Sequence, residues 1–161
     1  MRRRCLVAST LWVLWASAPL AGTLDEGVAA HRRGDYGFAL VTFRGLAQDG
    51  NLAAQYNLGQ MYRLAQGVVQ DHVVAANWYR LAAQQGDAQS QYNLGVMHFN
   101  AQGVSRSLVL SHMWLTLAAT SGADNAVRNR AMLARQMTPE QVTQALQLAR
   151  ECRLRDFKAC E

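Results

Sequence analysis

Between residues 52 and 83 the apolar side chains fall into two stripes. Ala54, Leu58, Met61, Tyr62 and Ala65 recur at the 3.6-residue spacing of a helix, and so do Ala75, Trp78, Tyr79, Ala82 and Ala83. Two amphipathic helices are predicted, with Gly67 in the connection between them. Shifted by 36 residues, the pattern returns. Leu52 to Asp87 aligned with Ala88 to Ala123 gives 16 identities: QYNLG at 55–59 and 91–95, Met61/Met97, AQGV at 65–68 and 101–104, Val73/Val109, Trp78/Trp114, LAA at 81–83 and 117–119, and Gly86/Gly122. A repeat of this period is one helix pair stacked on the next.

The punctuation between stripes agrees with that count. Asp71 is placed to cap the second helix of its unit, and Ser107 stands at the matching position. Gly86 and Gly122 are placed to end the second helices in a left-handed conformation. Gly59 and Gly95 lie in mid-helix, where each costs about 1 kcal/mol relative to alanine. Their presence predicts that another helix approaches closely at those points.

The offsets A-x-x-QYNLGxMY, QGVxxD and AxxWYRLAAxxG resemble the Sel-1-like repeat family, relatives of the tetratricopeptide repeat with a longer inter-helix loop. The resemblance covers residues 52–123. Upstream, Asp35, Ala39, Phe43 and Gly50 lie one period before Asp71, Ala75, Tyr79 and Gly86, so residues 23–50 are read as a degenerate first repeat turning at Gly34 and Asp35. Residues 51–87 and 88–123 form the two full repeats. After Ala123 the period fails. Asn125 to Gln136 is helical in pattern, and MTPEQ restarts a helix with Thr138 as N-cap, Pro139 at the first position and Gln141 completing a capping box. Residues 124–161 are therefore expected to be a capping helix pair whose polar outer face ends the stack. The fold class is all-α, a solenoid of stacked antiparallel helix pairs, for which the resemblance implies a right-handed superhelix.

The amino-terminal stretch departs from this pattern. Arg2, Arg3 and Arg4 precede an uncharged run from Cys5 to Ala21, and small residues surround Ala21 and Gly22. A basic head, an apolar middle and a small-residue exit describe a cleavable signal peptide over residues 1–22. The run is at the short limit for a membrane span and contains Pro19. LAGT at 20–23 has Thr23 where a lipobox needs a cysteine to acylate. Removing the leader leaves 13 basic against 11 acidic residues, a net charge of about +2. No clustered basic face for nucleic acid remains.

Loss of Cys5 with the leader leaves Cys152 and Cys160, which in an exported chain are expected to be paired. A helix running through both would hold them about 12 Å apart, too far for a bridge. The helix must therefore end between them and the tail fold back, with a stabilisation of roughly 2.5 kcal/mol from closing so short a loop. A cysteine-rich branch of the Sel-1-like family is similar in this gap alone, since this chain has no cysteine inside its repeats.

Chemistry is not written in recognisable motifs. His31, His72, His98 and His112 form no metal-ligand spacing and are read as surface or groove side chains. GxSxG, P-loop and GxGxxG motifs are missing. Asp35, Asp71, Asp87 and Asp124 sit at helix starts, where capping accounts for them better than acid-base catalysis does. The recurring Tyr56, Tyr62, Tyr79, Tyr92, Trp78 and Trp114 are read as inter-repeat core. Asn57 and Asn93 need hydrogen-bond partners, either neighbouring backbone or a bound peptide. No cofactor, metal or catalytic residue is expected.

The resemblance to tetratricopeptide-type modules implies that first helices line a concave surface for an extended peptide or protein. It places inward Val28, His31 and Arg32 from the first unit. From the second it takes Tyr56, Asn57, Gln60, Arg63 and Leu64, and from the third Asn93, Val96, Phe99 and Asn100. That lining predicts a polar and aromatic peptide groove rather than a two-carboxylate clamp, because Arg32 and Arg63 are its only cations. The function expected is a non-catalytic periplasmic adaptor with a protein or peptide partner, no nucleic acid and no stable membrane insertion after leader cleavage. The alternatives are a β-lactam-binding or hydrolysing enzyme, as implied by the cysteine-rich branch, and a membrane-tethered scaffold that keeps its leader.

Overall fold

A computed structural model describes residues 22–158 and 160. The leader expected over residues 1–22 lies outside the described residues except for Gly22. The described chain is all-helical: α1 (Leu24–Arg32), α2 (Tyr36–Gln48), α3 (Leu52–Leu64), α4 (His72–Ala83), α5 (Ala88–Asn100), α6 (Leu108–Thr120), α7 (Asp124–Ala134) and α8 (Pro139–Leu154). From α1 to α7 each helix packs on the next, which makes a solenoid of helix hairpins.

Local chemistry starts these helices where the sequence places them. The side chains of Asp71 and Ser107 accept from first-turn N–H groups of α4 and α6, and Thr138 and Gln141 make the reciprocal capping box of α8 around Pro139. Helix α7 differs. Its N-cap is Ala123, which has no side chain able to accept, and Asp124 is the first helical residue. Its carboxylate acts on the helix terminus through charge alone.

The repeated word QYNLG has a residue-by-residue account. Gln55 Nε2 donates 3.2 Å to the carbonyl of Ala47 at the end of α2, and Gln91 Nε2 donates 3.2 Å to that of Ala83 at the end of α4. Each glutamine thus adds a side-chain donor to a last-turn carbonyl of the preceding unit, which also accepts from the N–H of Gly50 or Gly86 as its helix closes. Leu58 and Leu94 are fully buried. A methyl on Gly59 would stand 2.6 Å from the Tyr79 ring, and one on Gly95 would stand 2.8 Å from Leu115. Both glycines therefore mark the close helix approach that the sequence predicts. Asn57 bonds its own helix, donating 2.8 Å to the Ala53 carbonyl.

AQGV recurs for a similar reason. Ala65 and Ala101 turn left-handed at φ 56° and 55° to end α3 and α5. The loop then closes through the Asp71 N–H to the Tyr62 carbonyl at 3.1 Å, and the Ser107 N–H to the His98 carbonyl at 3.0 Å. Gly103 lies directly on the backbone of His72 and Val73, and Gly67 on Tyr36. Each loop is thereby seated on the start of the second helix of the unit before it.

The end of the stack differs from the helix pair expected over residues 124–161. Helices α7 and α8 each pack against α6 and not closely against each other. Leu133 and Ala126 of α7 share one core cluster with Leu115 and Ala118, whereas Ala149 and Cys152 of α8 share another with Tyr79, Ala83 and Trp114. Helix α8 ends at Leu154, left-handed Asp156 and Phe157 reverse the chain, and Cys152 is bridged to Cys160 with their Cα atoms 4.8 Å apart.

Two stability changes follow from the comparison of repeats. Gly59→Ala gains about 1 kcal/mol of helix propensity but drives a methyl into a fully buried Tyr79 ring, an overpacking that costs about 1–3 kcal/mol. Urea unfolding should show net destabilisation; a raised midpoint would show that the ring moves freely. Ser121 occupies the position equivalent to Gln85, whose Nε2 donates 2.8 Å to Gln55 Oε1 and 3.0 Å to the Gly50 carbonyl. The corresponding Gln91 Oε1 is buried without a partner. Ser121→Gln should therefore stabilise by about 1 kcal/mol, read as a higher urea midpoint at unchanged slope.

Candidate functional site

The residues placed inward by sequence divide into two groups. Those of α3 are tied to one another. Tyr79 Oη donates 2.7 Å to Gln60 Oε1, Gln60 Nε2 donates 2.8 Å to Tyr56 Oη, and Arg63 Nη2 donates 2.7 Å to the same Gln60 oxygen. Arg63 Nε also reaches Tyr79 Oη at 3.2 Å. Burial pushes the Tyr79 hydroxyl up to about 12, against the opposing hydrogen bond and charge of Arg63. The phenol stays protonated and donating throughout the neutral range, so this network is a fixed strut between α3 and α4.

On α1, His31 Nε2 lies 2.9 Å from Gln66 Oε1, and its ring stands edge-on to Tyr36 at 5.3 Å. Arg32 is exposed in the last turn of that helix.

The second group meets an open cleft. Val96, Phe99 and Asn100 of α5 face Asn129, Met132, Leu133 and Gln136 of the α7 region across a space of about 310 Å³. Ser111 and Leu115 of α6, both buried, form its floor. Asn93 is half-buried on the same helix but is not part of this lining. A second, more open depression shares Asn129 and Met132 with the cleft and is lined beyond them by Arg128, Ala131 and Arg135. Asn129 Nδ2 donates 2.8 Å to Tyr92 Oη, and Ser111 Oγ donates 2.7 Å to the Gly95 carbonyl. The Arg106 guanidinium stands 6.0 Å from the centre of the Phe99 ring. Sequence reading missed the α7 wall. Its signal was Met132, an apolar side chain on a helix taken as a polar cap, which is 56% exposed.

The histidines need correction. His98 and His112 are not surface or groove side chains; each is only 3% exposed. His98 Nδ1 lies 3.0 Å from the Ser105 carbonyl in the α5–α6 connection. His112 is held below its ordinary value of 6.5, first by burial and then by the charge of Arg130. Among the described residues no group of three or more His, Cys, Asp or Glu side chains converges on a point that could hold a metal ion.

Residues 52–87 and 88–122 match the Sel1 repeat. The chain carries two Sel1 repeats. Solved structures agree. A protective antigen present in uropathogenic Escherichia coli strains, displaying an SLR fold, is similar over 83% of this chain with 29% identity and a TM-score of 0.77. A Sel1 repeat protein from Oxalobacter formigenes is similar over 69% of it with 28% identity and a TM-score of 0.66. This chain spans 30% of the first structure's length and 46% of the second's. No curated protein matches it. The cleft begins within the second Sel1 repeat and is completed by α7, which lies beyond the match.

His112 makes the second Sel1 repeat sensitive to acid. Its folded-state value lies below the unfolded one, so the unfolded chain binds more protons as pH falls below about 6.5. Stability is whole above that value and is lost as pH drops toward the folded-state value. The thermal midpoint should fall between pH 7.5 and 5.5, and His112→Gln should shrink that fall. An unchanged fall in the variant would assign the acid sensitivity elsewhere.

Proposed function

We propose that this chain is a non-catalytic adaptor, binding a protein or peptide partner in the cleft between α5 and α7 and working in the periplasm. The observation that carries the reading is the cleft itself. Sel1 hairpins bury their apolar stripes against their neighbours, yet Phe99 and Met132 face a space that the described residues do not fill. Exposed apolar surface of this kind at the end of a helical stack suits a partner's side chains.

The lining also bears on the β-lactam alternative. It contains no titratable side chain, and its one hydroxyl, Ser111 Oγ, is committed to the Gly95 carbonyl. A serine nucleophile needs a base within hydrogen-bond reach, and none of the cleft-lining side chains is one. The periplasmic assignment draws on the leader pattern of residues 1–22 and on the bridged Cys152 and Cys160, which suit an oxidising compartment. No described helix is long and apolar enough to cross a membrane.

The test is crosslinked capture from intact cells with the tagged full chain beside Phe99→Asp and Met132→Asp variants whose helicity is confirmed by circular dichroism. A protein held by the wild type and lost from both variants supports the adaptor; turnover of a chromogenic β-lactam that those variants abolish would replace it with the enzyme.

A further inference from the structure

The cleft has a charge character that its apolar lining conceals. Three arginines stand around it: Arg106 beside Phe99, and Arg128 and Arg135 in the depression that shares Asn129 and Met132 with it. No carboxylate lines either one. Arg128 is bonded only weakly within its own helix, Nη2 to Asn125 Oδ1 at 3.3 Å, so its charge is not neutralised by that contact.

The polar groups between the arginines are amides. Asn129 uses its Nδ2 on Tyr92, which leaves its Oδ1 as an acceptor, while Asn100 and Gln136 carry both donor and acceptor groups at the cleft. Side-chain amides can pair with the N–H and C=O of an extended backbone without demanding a particular sequence. About 310 Å³ lies at the small end of ligand clefts. That space receives an anchoring side chain but not a helix.

From this we infer that the α5–α7 cleft binds an extended acidic peptide segment, seating one apolar side chain between Phe99 and Met132 and placing neighbouring carboxylates against Arg106, Arg128 and Arg135. This rests on the adaptor reading and narrows it to a partner chemistry. The cations that the sequence-based groove lacked come from the α5–α6 connection and α7, outside the helices from which that groove was drawn. Rim charges of this kind set partner choice and association rate more than affinity, so the apolar anchor holds the segment and the arginines select it.

The experiment is selection of a random displayed peptide library on the full chain, beside Met132→Asp and the double variant Arg128→Glu/Arg135→Glu. Arg128 and Arg135 are both exposed, so the double variant keeps the fold, which circular dichroism and the thermal midpoint verify. Selected peptides should carry Leu, Met or Phe flanked by Asp or Glu. In fluorescence polarisation they should bind about tenfold more weakly to the double variant, weaken with added salt and be lost on Met132→Asp. The double variant should select Lys or Arg flanks instead.

Selection of neutral or basic peptides by the wild type, or indifference to the arginine changes, overturns the inference. So does failure to enrich any peptide, or a dimer seen by light scattering that Met132→Asp dissolves, since a second copy would then occupy the cleft. Capture of a cellular partner that depends on Met132 but not on the arginines would sink the acidic-peptide inference and leave the adaptor standing. Failure of both experiments removes both.

Discussion

The stack depends on a side-chain hydrogen bond that crosses from one helix hairpin to the next. Gln55 and Gln91 each donate to a last-turn carbonyl of the preceding unit, at Ala47 and Ala83, and they do so from buried positions. Those carbonyls also accept the N–H groups of Gly50 and Gly86, so the group at stake is the glutamine amide: a buried donor without an acceptor costs about 1–3 kcal/mol, and the stacking register that supplies the acceptor is preferred over neighbouring ones. Close approach of the helices follows from that register. Gly59 and Gly95 lie one turn further along α3 and α5, where any larger residue would hold the partner helix away.

The two Sel1 repeats are not equally finished. In the first, Gln85 completes the clamp by donating to Gln55; in the second, Ser121 is too short and Gln91 Oε1 stays unpaired. Near-identical sequence words thus have different energetic surroundings. The difference falls in the repeat whose other side borders the open cleft, where α7 replaces the first helix of a further unit.

Much of the fold was legible because helix formation and hairpin stacking leave periodic marks. The 36-residue repeat, the caps at Asp71, Ser107 and Thr138, and the mid-helix glycines are all local or repeated signals. The burial of His98 and His112 was not legible, because a histidine on a helix face reads the same whether the neighbouring helix covers it or not. Nor was the separate docking of α7 and α8 on α6. A terminal helix has no second copy to compare, and its amphipathic stripe fits any of several faces. The cleft was half legible: Val96, Phe99 and Asn100 lay on a helix face already chosen, whereas Asn129 and Met132 could be placed only once α7 had a position.

The placement of α8 has a consequence for cooperativity. In a simple helical array each unit touches only its neighbours, and its ends open independently of the middle. Here Ala149 and Cys152 of α8 share a core with Ala75, Ala76 and Tyr79 of α4 as well as with Met113 and Trp114 of α6, and Phe157 from the bridged tail reaches Gly86. The last helix and its bridged tail therefore draw the second helices of both repeats into one core, so their detachment would uncover Trp114 of α6 and reach Tyr79 of α4 together. Helix α7, docked on α6 in a different cluster, lies outside that core.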